Sequence, residues 1–302
     1  LDVKMKEEIT VGFGGNVSSH QANQLYLGLG YQYLGRFAAD VNSNFQVGNS
    51  FSGVMLSGRM YLQTQIPTYL NWQGVFSDKK YTESQSLFYE DIVPAMIKQK
   101  ELYMKLKLGF PFLNHAKAEI GFAYGRLNDF YLQSTTIPFP NASFDHSWYD
   151  LFSGSLSIEQ NSLNAKQYPI SGKQQFLIAQ YVTGTEKYTP SPTSATTEAP
   201  IGRKVHSWLQ LKGRWNQYQT LSNRFNLGYL AEMVISSKNL MNNYTASVLQ
   251  APAFTPTPHS EIVFNEAFRA NQYVAFGLSP ILKLSKLLHF RLDMYEIGRA
   301  HV

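Results

Sequence analysis

Between Glu101 and Phe110 the chain reads ELYMKLKLGF. Leu102, Met104, Leu106, Leu108 and Phe110 alternate strictly with Glu101, Tyr103, Lys105, Lys107 and Gly109. A period of two sends successive side chains to opposite faces of a strand, so the two faces of this segment must meet different environments. The pattern recurs along the chain. Leu25, Leu27, Leu29, Tyr31 and Tyr33 stand against Gln24, Tyr26, Gly28, Gly30 and Gln32, and Phe225, Leu227, Tyr229, Ala231, Met233 and Ile235 against Arg224, Asn226, Gly228 and Glu232. It predicts thirteen strands, near residues 9–13, 24–33, 36–47, 54–63, 69–78, 101–110, 117–125, 152–159, 174–185, 209–216, 224–235, 273–284 and 287–295.

The connections alternate as well. Long or polar stretches follow strands one, three, five, seven, nine and eleven, among them 79–100, 129–147, 186–205 and 237–271, whereas mostly shorter turns follow the even strands. A soluble sandwich has no reason to segregate loop lengths to one end. An antiparallel up-and-down transmembrane β-barrel does, with short turns on one side and long loops on the other. The polar face points the same way: it carries Arg59, Lys105, Lys107, Glu119, Lys212, Arg214, Glu232, Arg291 and Asp293. So many charges are costly in a dry core unless paired, but acceptable along a hydrated lumen. The expected fold class is therefore all-β, an outer-membrane barrel whose apolar residues face lipid and whose charges face the lumen. Chain-wide, no apolar run reaches the roughly 18 residues of a membrane helix.

Other chemistry is sparse. Zero cysteine excludes disulfides, thiol catalysis and Cys-based zinc sites. The net charge of +5 arises from Lys and Arg scattered singly through alternating segments, without the basic stripe of a nucleic-acid binder, so no nucleic-acid partner is expected. His20, His115, His146, His206, His259 and His289 lack metal-ligand spacing. Asp145-His146-Ser147 sets triad residue types side by side, but triads are assembled by the fold and not by adjacency. No metal, cofactor or catalytic site is expected, and the chain by itself is read as no enzyme. Trp72, Trp148 and Trp208 suit either interfacial girdles or packing.

Four stretches carry a family resemblance: NVSSHQANQLYLGLGY (16–31), LNAKQYPISGKQQ (163–175), YVTGTEKYTP (181–190) and NYTASVLQAPAFTPTPHSEIVFNEAFRANQYVAFGL (243–278). In their order and spacing the chain resembles the C-terminal barrel of bacterial patatin-like outer-membrane proteins of the Bacteroidetes type. That barrel is similar to those of the assembly factor BamA, the surface antigens and the two-partner secretion transporters. The resemblance implies a bacterial outer-membrane location in contact with membrane lipid and a barrel of sixteen strands, of which about thirteen are present. It also implies an upstream patatin-like phospholipase domain, joined through a periplasmic linker domain in the same parent chain. The G-x-S-x-G elbow of such a hydrolase does not occur here. Three functions stay open: a barrel that anchors or exports that hydrolase, a BamA or two-partner type barrel that assembles or translocates polypeptide, and a passive porin.

The resemblance further implies that the long segment 237–271 folds into the lumen and sets an Arg against acidic wall residues. Arg269 in Phe268-Arg269-Ala270-Asn271 is the matching residue, although Ala270 and Asn271 depart from the family's Gly and aromatic. Its candidate partners in a structural lock are Glu232, Asp293 and Glu266; a solvated Arg269 is the alternative. The ends read differently from the body. LDVKMKEE has neither an initiating Met nor a signal-peptide pattern, as expected of a fragment from a longer protein. EIGRAHV (296–302) breaks the alternation and back-translates to the start of a common sequencing adapter. Residues 1–295 are thus expected to be partial barrel and 296–302 adapter read-through from a metagenomic fragment, a natural polar tail being the alternative.

Overall fold

The computed structural model describes residues 8–16, 23–49, 51–83, 95–113, 115–132, 143–192, 202–257, 260, 265–285 and 288–300. Alternation along the chain becomes strand throughout. The strands are β1 (Ile9–Asn16), β2 (Gln24–Leu34), β3 (Ala38–Gly48), β4 (Phe51–Leu62), β5 (Thr68–Glu83), β6 (Ala95–Phe112) and β7 (Ala116–Tyr131). They continue as β8 (Asp145–Asn161), β9 (Gly172–Thr189), β10 (Gly202–Ser222), β11 (Phe225–Ser236), β12 (Tyr273–Lys283), β13 (His289–Arg291) and β14 (Met294–Arg299). Hydrogen bonding joins them in sequence order from β1 to β13, with β14 also on β12. One helix, α1 (Tyr244–Leu249), and a 3-10 turn, Glu266–Phe268, lie between β11 and β12.

β13 and β14 are one strand with a gap. Ile281 pairs with Arg291 and Leu278 with Met294 in a single unbroken register on β12. At the gap Leu292 donates to the carbonyl of Pro280. Pro280 has no N–H to return, and the ladder is interrupted there. The strand also runs past the expected end at 295: Glu296 pairs with Phe276 and Arg299 with Tyr273.

Several strands are longer than the alternation predicts. The expected loops at 79–100, 129–147 and 186–205 shrink, because β5 extends to Glu83, β6 starts at Ala95, β7 reaches Tyr131, β8 starts at Asp145, β9 reaches Thr189 and β10 starts at Gly202. In these extensions polar residues occupy both faces, and the period-two signal vanishes although the strand does not. The polar second half of the third strand lies within β3, as expected, and β3 ends at Gly48. The connection from β8 to β9, expected at 160–173, is shortened to 162–171 but stays longer than the other turns after even strands.

Burial is inverted relative to a soluble protein. Phe13, Leu25, Phe76, Met104, Leu106, Phe122, Phe152, Leu156, Leu209, Phe276 and Phe290 are exposed, while Glu119, Asp129, Asp145, Glu186, Asn226 and Glu232 are buried. The chain divides into two compact units, 1–110 with 120–153 and 183–205, and 111–119 with 154–182 and 206–302. In the second unit the hydrophobic core lies on the otherwise polar face: Leu230, Val234, Tyr273 and Ala275 of β11 and β12 pack against Phe254 and Ala270 of the intervening segment, with Phe268, Tyr295 and Ile297 alongside.

Candidate functional site

Strand register builds a charged wall on the polar face of β10–β12. Arg214 pairs with Glu232 across β10 and β11, and Glu232 with Ala275 across β11 and β12. Lys212 is two residues from Arg214 and so shares its face. Its Nζ lies 2.9 Å from the Glu232 carboxylate and Arg214 Nε lies 3.4 Å away. Tyr273 donates its hydroxyl to the same carboxylate. Arg214 Nε and Glu232 Oε2 make no directed hydrogen bond, so that contact is an ion pair of opposite charges. Glu232 is fully buried, and two cations and a phenol are the compensation that such a carboxylate needs.

A second cluster centres on Arg291. Its Nε meets Asp293 Oδ1 at 2.7 Å, its NH1 the carbonyl of Pro169 at 3.0 Å and its NH2 the hydroxyl of Tyr218 at 2.9 Å. The guanidinium lies 5.6 Å from the Tyr168 ring and 5.2 Å from the Tyr218 ring, within cation–π range. Ser279 donates to Asp293. Tyr168 has φ +50°, a left-handed conformation uncommon for a bulky residue, and sits in the 162–171 connection. The same connection is fixed by Asn226, whose Nδ2 donates to the Ile170 carbonyl at 2.6 Å. Glycine makes the room: a Cβ on Gly228 would sit 2.5 Å from the Tyr218 ring across the β10–β11 pair. Lys166, Asn216, Tyr218, Thr255, Arg214 and Arg291 are among the residues lining a cavity of about 280 Å³.

The segment between β11 and β12 lies against this wall. Phe254 reaches the rings of Tyr273 and Tyr295 at 6.2 and 6.0 Å in edge-on geometry. The Arg214 side chain contacts the Thr255 carbonyl at 3.5 Å, and Lys238 Nζ donates to the Gln250 carbonyl at 2.6 Å. Within the segment, residues 252–254 and 268–270 pair: Phe254 N donates to Phe268 O at 2.8 Å and Ala270 N to Pro252 O at 3.2 Å. Asn243 caps α1 through its side-chain oxygen, which accepts from Ala246 N at 2.7 Å. Tyr244 donates to Glu266 at 2.6 Å, and this bond to a carboxylate holds its phenol above the usual range.

Arg269 donates to the carbonyls of Leu249 and Ala251, at 2.9 and 3.4 Å. It thereby serves the C-terminal end of α1, where backbone carbonyls lack intrahelical partners. The expected lock residues are therefore distributed. Glu232 engages Lys212, Arg214 and Tyr273, Asp293 engages Arg291 and Ser279, and Glu266 engages Tyr244 while its carbonyl receives Arg299. The other expected lumen charges fall on the polar face. Arg59 donates to Asn71 at 2.8 Å and lies 4.8 Å over the Tyr69 ring. Lys105 and Lys107 are placed opposite Gln73 and Asn71. Glu119 is buried beside Lys117, 3.5 Å away, which also meets Glu159 at 3.0 Å.

Sequence reasoning missed a further polar network in the first unit. Gln99 donates to Asp129 at 3.1 Å, Tyr188 and Ser191 N to Asp145 at 3.2 and 2.7 Å, and Tyr149 to Glu186 at 3.4 Å. Tyr149 apart, these residues stand in stretches expected to be loops. Asp145 and Ser147 are buried there, while His146 falls on the other face beside Phe130, its ring stacked at 4.3 Å. The adjacent triad types thus point apart. Trp208 is buried under Lys238, 5.0 Å over its ring, a packing role and not an interfacial one. Among the described residues, no group of three His, Cys, Asp or Glu side chains is disposed to hold a metal.

An exposed apolar face, a buried charged face and an up-and-down antiparallel order are together the features of a transmembrane barrel wall. The solved structures supply the match: BamA from Haemophilus ducreyi, crystallised without POTRA domains 1–3, superposes with a TM-score of 0.65. The fold is similar to that of the BamA barrel wall. At 12% identity the likeness concerns fold alone; it covers 98% of this chain and 59% of the BamA chain, so the sequence spans little more than half of that structure. No family model and no curated protein matches the chain. No helix among the described residues is long and apolar enough to cross a membrane, which says nothing of crossing by strands.

Proposed function

We propose that the chain is the wall of an outer-membrane β-barrel that anchors, or carries toward the surface, a lipid-hydrolysing domain encoded upstream of Leu1 and joined to it by a periplasmic linker. The observation that supports the membrane part is the inverted burial: Phe122, Leu156 and Phe276 are each at least 60% exposed while Glu232 and Glu186 are sealed. That arrangement is unfavourable in water and favourable when lipid covers the apolar face. The hydrolase part rests on the resemblance carried by residues 16–31, 163–175, 181–190 and 243–278.

A passive porin fits less well, because described residues of the chain's own segment between β11 and β12, among them Phe254, Thr255 and Ala270, pack onto the polar face of β10–β12. A second reading, a barrel that assembles or translocates polypeptide, draws on the BamA likeness. The parent gene separates them. A G-x-S-x-G elbow upstream of Leu1 and lipid hydrolysis by the full-length protein support the first, whereas several linker domains without that elbow overturn it in favour of the second. Sequencing past Tyr295 in the same locus tests whether 296–302 is adapter read-through; a native stop after Val302 ends that idea.

A further inference from the structure

The first unit carries, on its apolar face, two features in line. One is a hollow of about 540 Å³, lined by Leu56, Trp72, Met104, Leu106, Phe122 and Phe152 of β4–β8. The other lies further along the same strands toward the long connections, where the apolar face turns cationic: Lys80, Lys98, Lys100, Arg126, Lys187 and Arg203 follow the parity of Phe76, Leu102, Phe122, Tyr181 and Val205. Among the described residues of this band only Asp78 and Asp150 are acidic. Asp150 meets Arg126 at 2.9 Å and Asp78 is 4.0 Å from Lys100.

The band is not neutralised from within. Lys80 pairs directly with Lys98 across β5 and β6, on one face. Like charges directly opposed on adjacent strands repel, and an anion between them removes the cost. Lys80 has no ion-pair partner among the described residues, and Lys98 lies 5.0 Å over the Phe144 ring. Arg126 is 5.2 Å from the Trp148 ring, an amphipathic aromatic of the kind that sits at a membrane interface. The opposite face of β7–β9 at this level holds the buried acids Asp129, Asp145 and Glu186, so the cations are segregated to the side where the apolar belt ends.

Scale agrees with a lipid. Lys98 is six residues along β6 from Met104, about 20 Å at the rise of a strand. At the tilt of about 45° usual for a membrane strand this is about 14 Å along the membrane normal, close to half of a hydrocarbon core of about 30 Å. Tyr124 joins the two features: it lines the hollow and donates to Asp150, the partner of Arg126. We propose that this surface binds a phosphate-bearing lipid of the surrounding leaflet, acyl chain in the hollow and phosphate across Lys80 and Lys98. The proposal rests on the membrane reading above.

The test uses the full-length parent protein in phosphatidylcholine nanodiscs doped with phosphatidic acid, with bound lipid read by native mass spectrometry. Phosphatidic acid should be retained over phosphatidylcholine, and Lys80→Gln with Lys98→Gln and Arg203→Gln should weaken retention by about tenfold or more. Arg59→Gln with Lys107→Gln, which removes charge from the other face and touches no residue of the hollow, should leave it unchanged. Equal retention by both sets of variants, or equal loss in both, overturns the proposal. Displacement by inorganic phosphate reduces the surface to a free-anion site, and unchanged lipid with loss of a co-purifying acidic protein reassigns it; either result also overturns it. If the parent protein does not enter membranes at all, the barrel reading fails first.

Discussion

β2–β4 and β11–β12 show the same alternation but differ in what covers their polar faces. Along β11 burial alternates cleanly: Asn226, Leu230, Glu232, Val234 and Ser236 are buried, and Tyr229, Met233 and Ile235 exposed. Along β3 the polar-face residues Asp40, Asn44 and Gln46 stay half-buried and Asn42 is exposed. The outward residues of both regions are similar. The difference lies in the segment between β11 and β12, which brings Phe254 and Ala270 onto one wall. Alternation therefore defines which face meets lipid, and leaves open what fills the other side.

The largest expected effect breaks that contrast where it is strongest. Glu232→Gln keeps the shape but removes the charge that compensates Lys212 and Arg214, both largely buried. Breaking a buried pair from one side costs about 3–5 kcal/mol. The urea midpoint of the lipid-embedded parent protein should fall accordingly, and protease should cut more readily within 237–272. Next comes the lipid face itself. Leu106→Arg places a cation on the exposed apolar surface and should cost about 2–4 kcal/mol if it lies near the bilayer midplane. Lys105→Leu, one residue away on the other face, should be mild. Heat-modifiable gel mobility after membrane assembly reads both, and the reverse order would mean that the barrel is inside out.

How much of this was legible follows from which environments change side-chain chemistry. Where one face meets hydrocarbon, as at Glu101–Phe110, period two is written into the residues and the strand is predictable. At Lys79 and Lys80, and at Lys98, Gln99 and Lys100, both faces are polar, and the strand leaves no trace. The polar-face position of the charges was readable by parity, since Arg59, Glu232 and Arg291 sit where alternation puts them. A weaker signal was overlooked: Leu230, Val234, Tyr273 and Ala275 are apolar or aromatic residues at polar-face positions. They mark where something dry must pack. The acceptor of Arg269 was not readable, because a guanidinium suits carboxylates and helix-end carbonyls alike; only the folded segment places Leu249 and Ala251 within its reach.

Glycine offers a smaller comparison. Gly228→Ala puts a Cβ 2.5 Å from the Tyr218 ring, which is held by Arg291, so the ring cannot move away freely. Overpacking of this kind costs about 1–3 kcal/mol. Gly74→Ala, in β5, meets nothing within 4 Å and should be neutral or slightly stabilising. Equal urea midpoints for the two variants would show that the Arg291 cluster is looser than its distances imply.

The smallest effect is expected at Asp40. Register sets it opposite Arg59 across β3 and β4, so the two opposite charges face each other on the polar face without forming a salt bridge. Arg59 does not depend on it: its Nε donates to Asn71 and its guanidinium lies over Tyr69. Both residues keep solvent contact, so screening leaves at most about 1 kcal/mol for the pair. Asp40→Asn should move the urea midpoint several-fold less than Glu232→Gln, although each converts one polar-face carboxylate to an amide. If the two shifts are equal, the cover over β11–β12 contributes nothing to the worth of its charges, and the contrast between the two walls is one of shape alone.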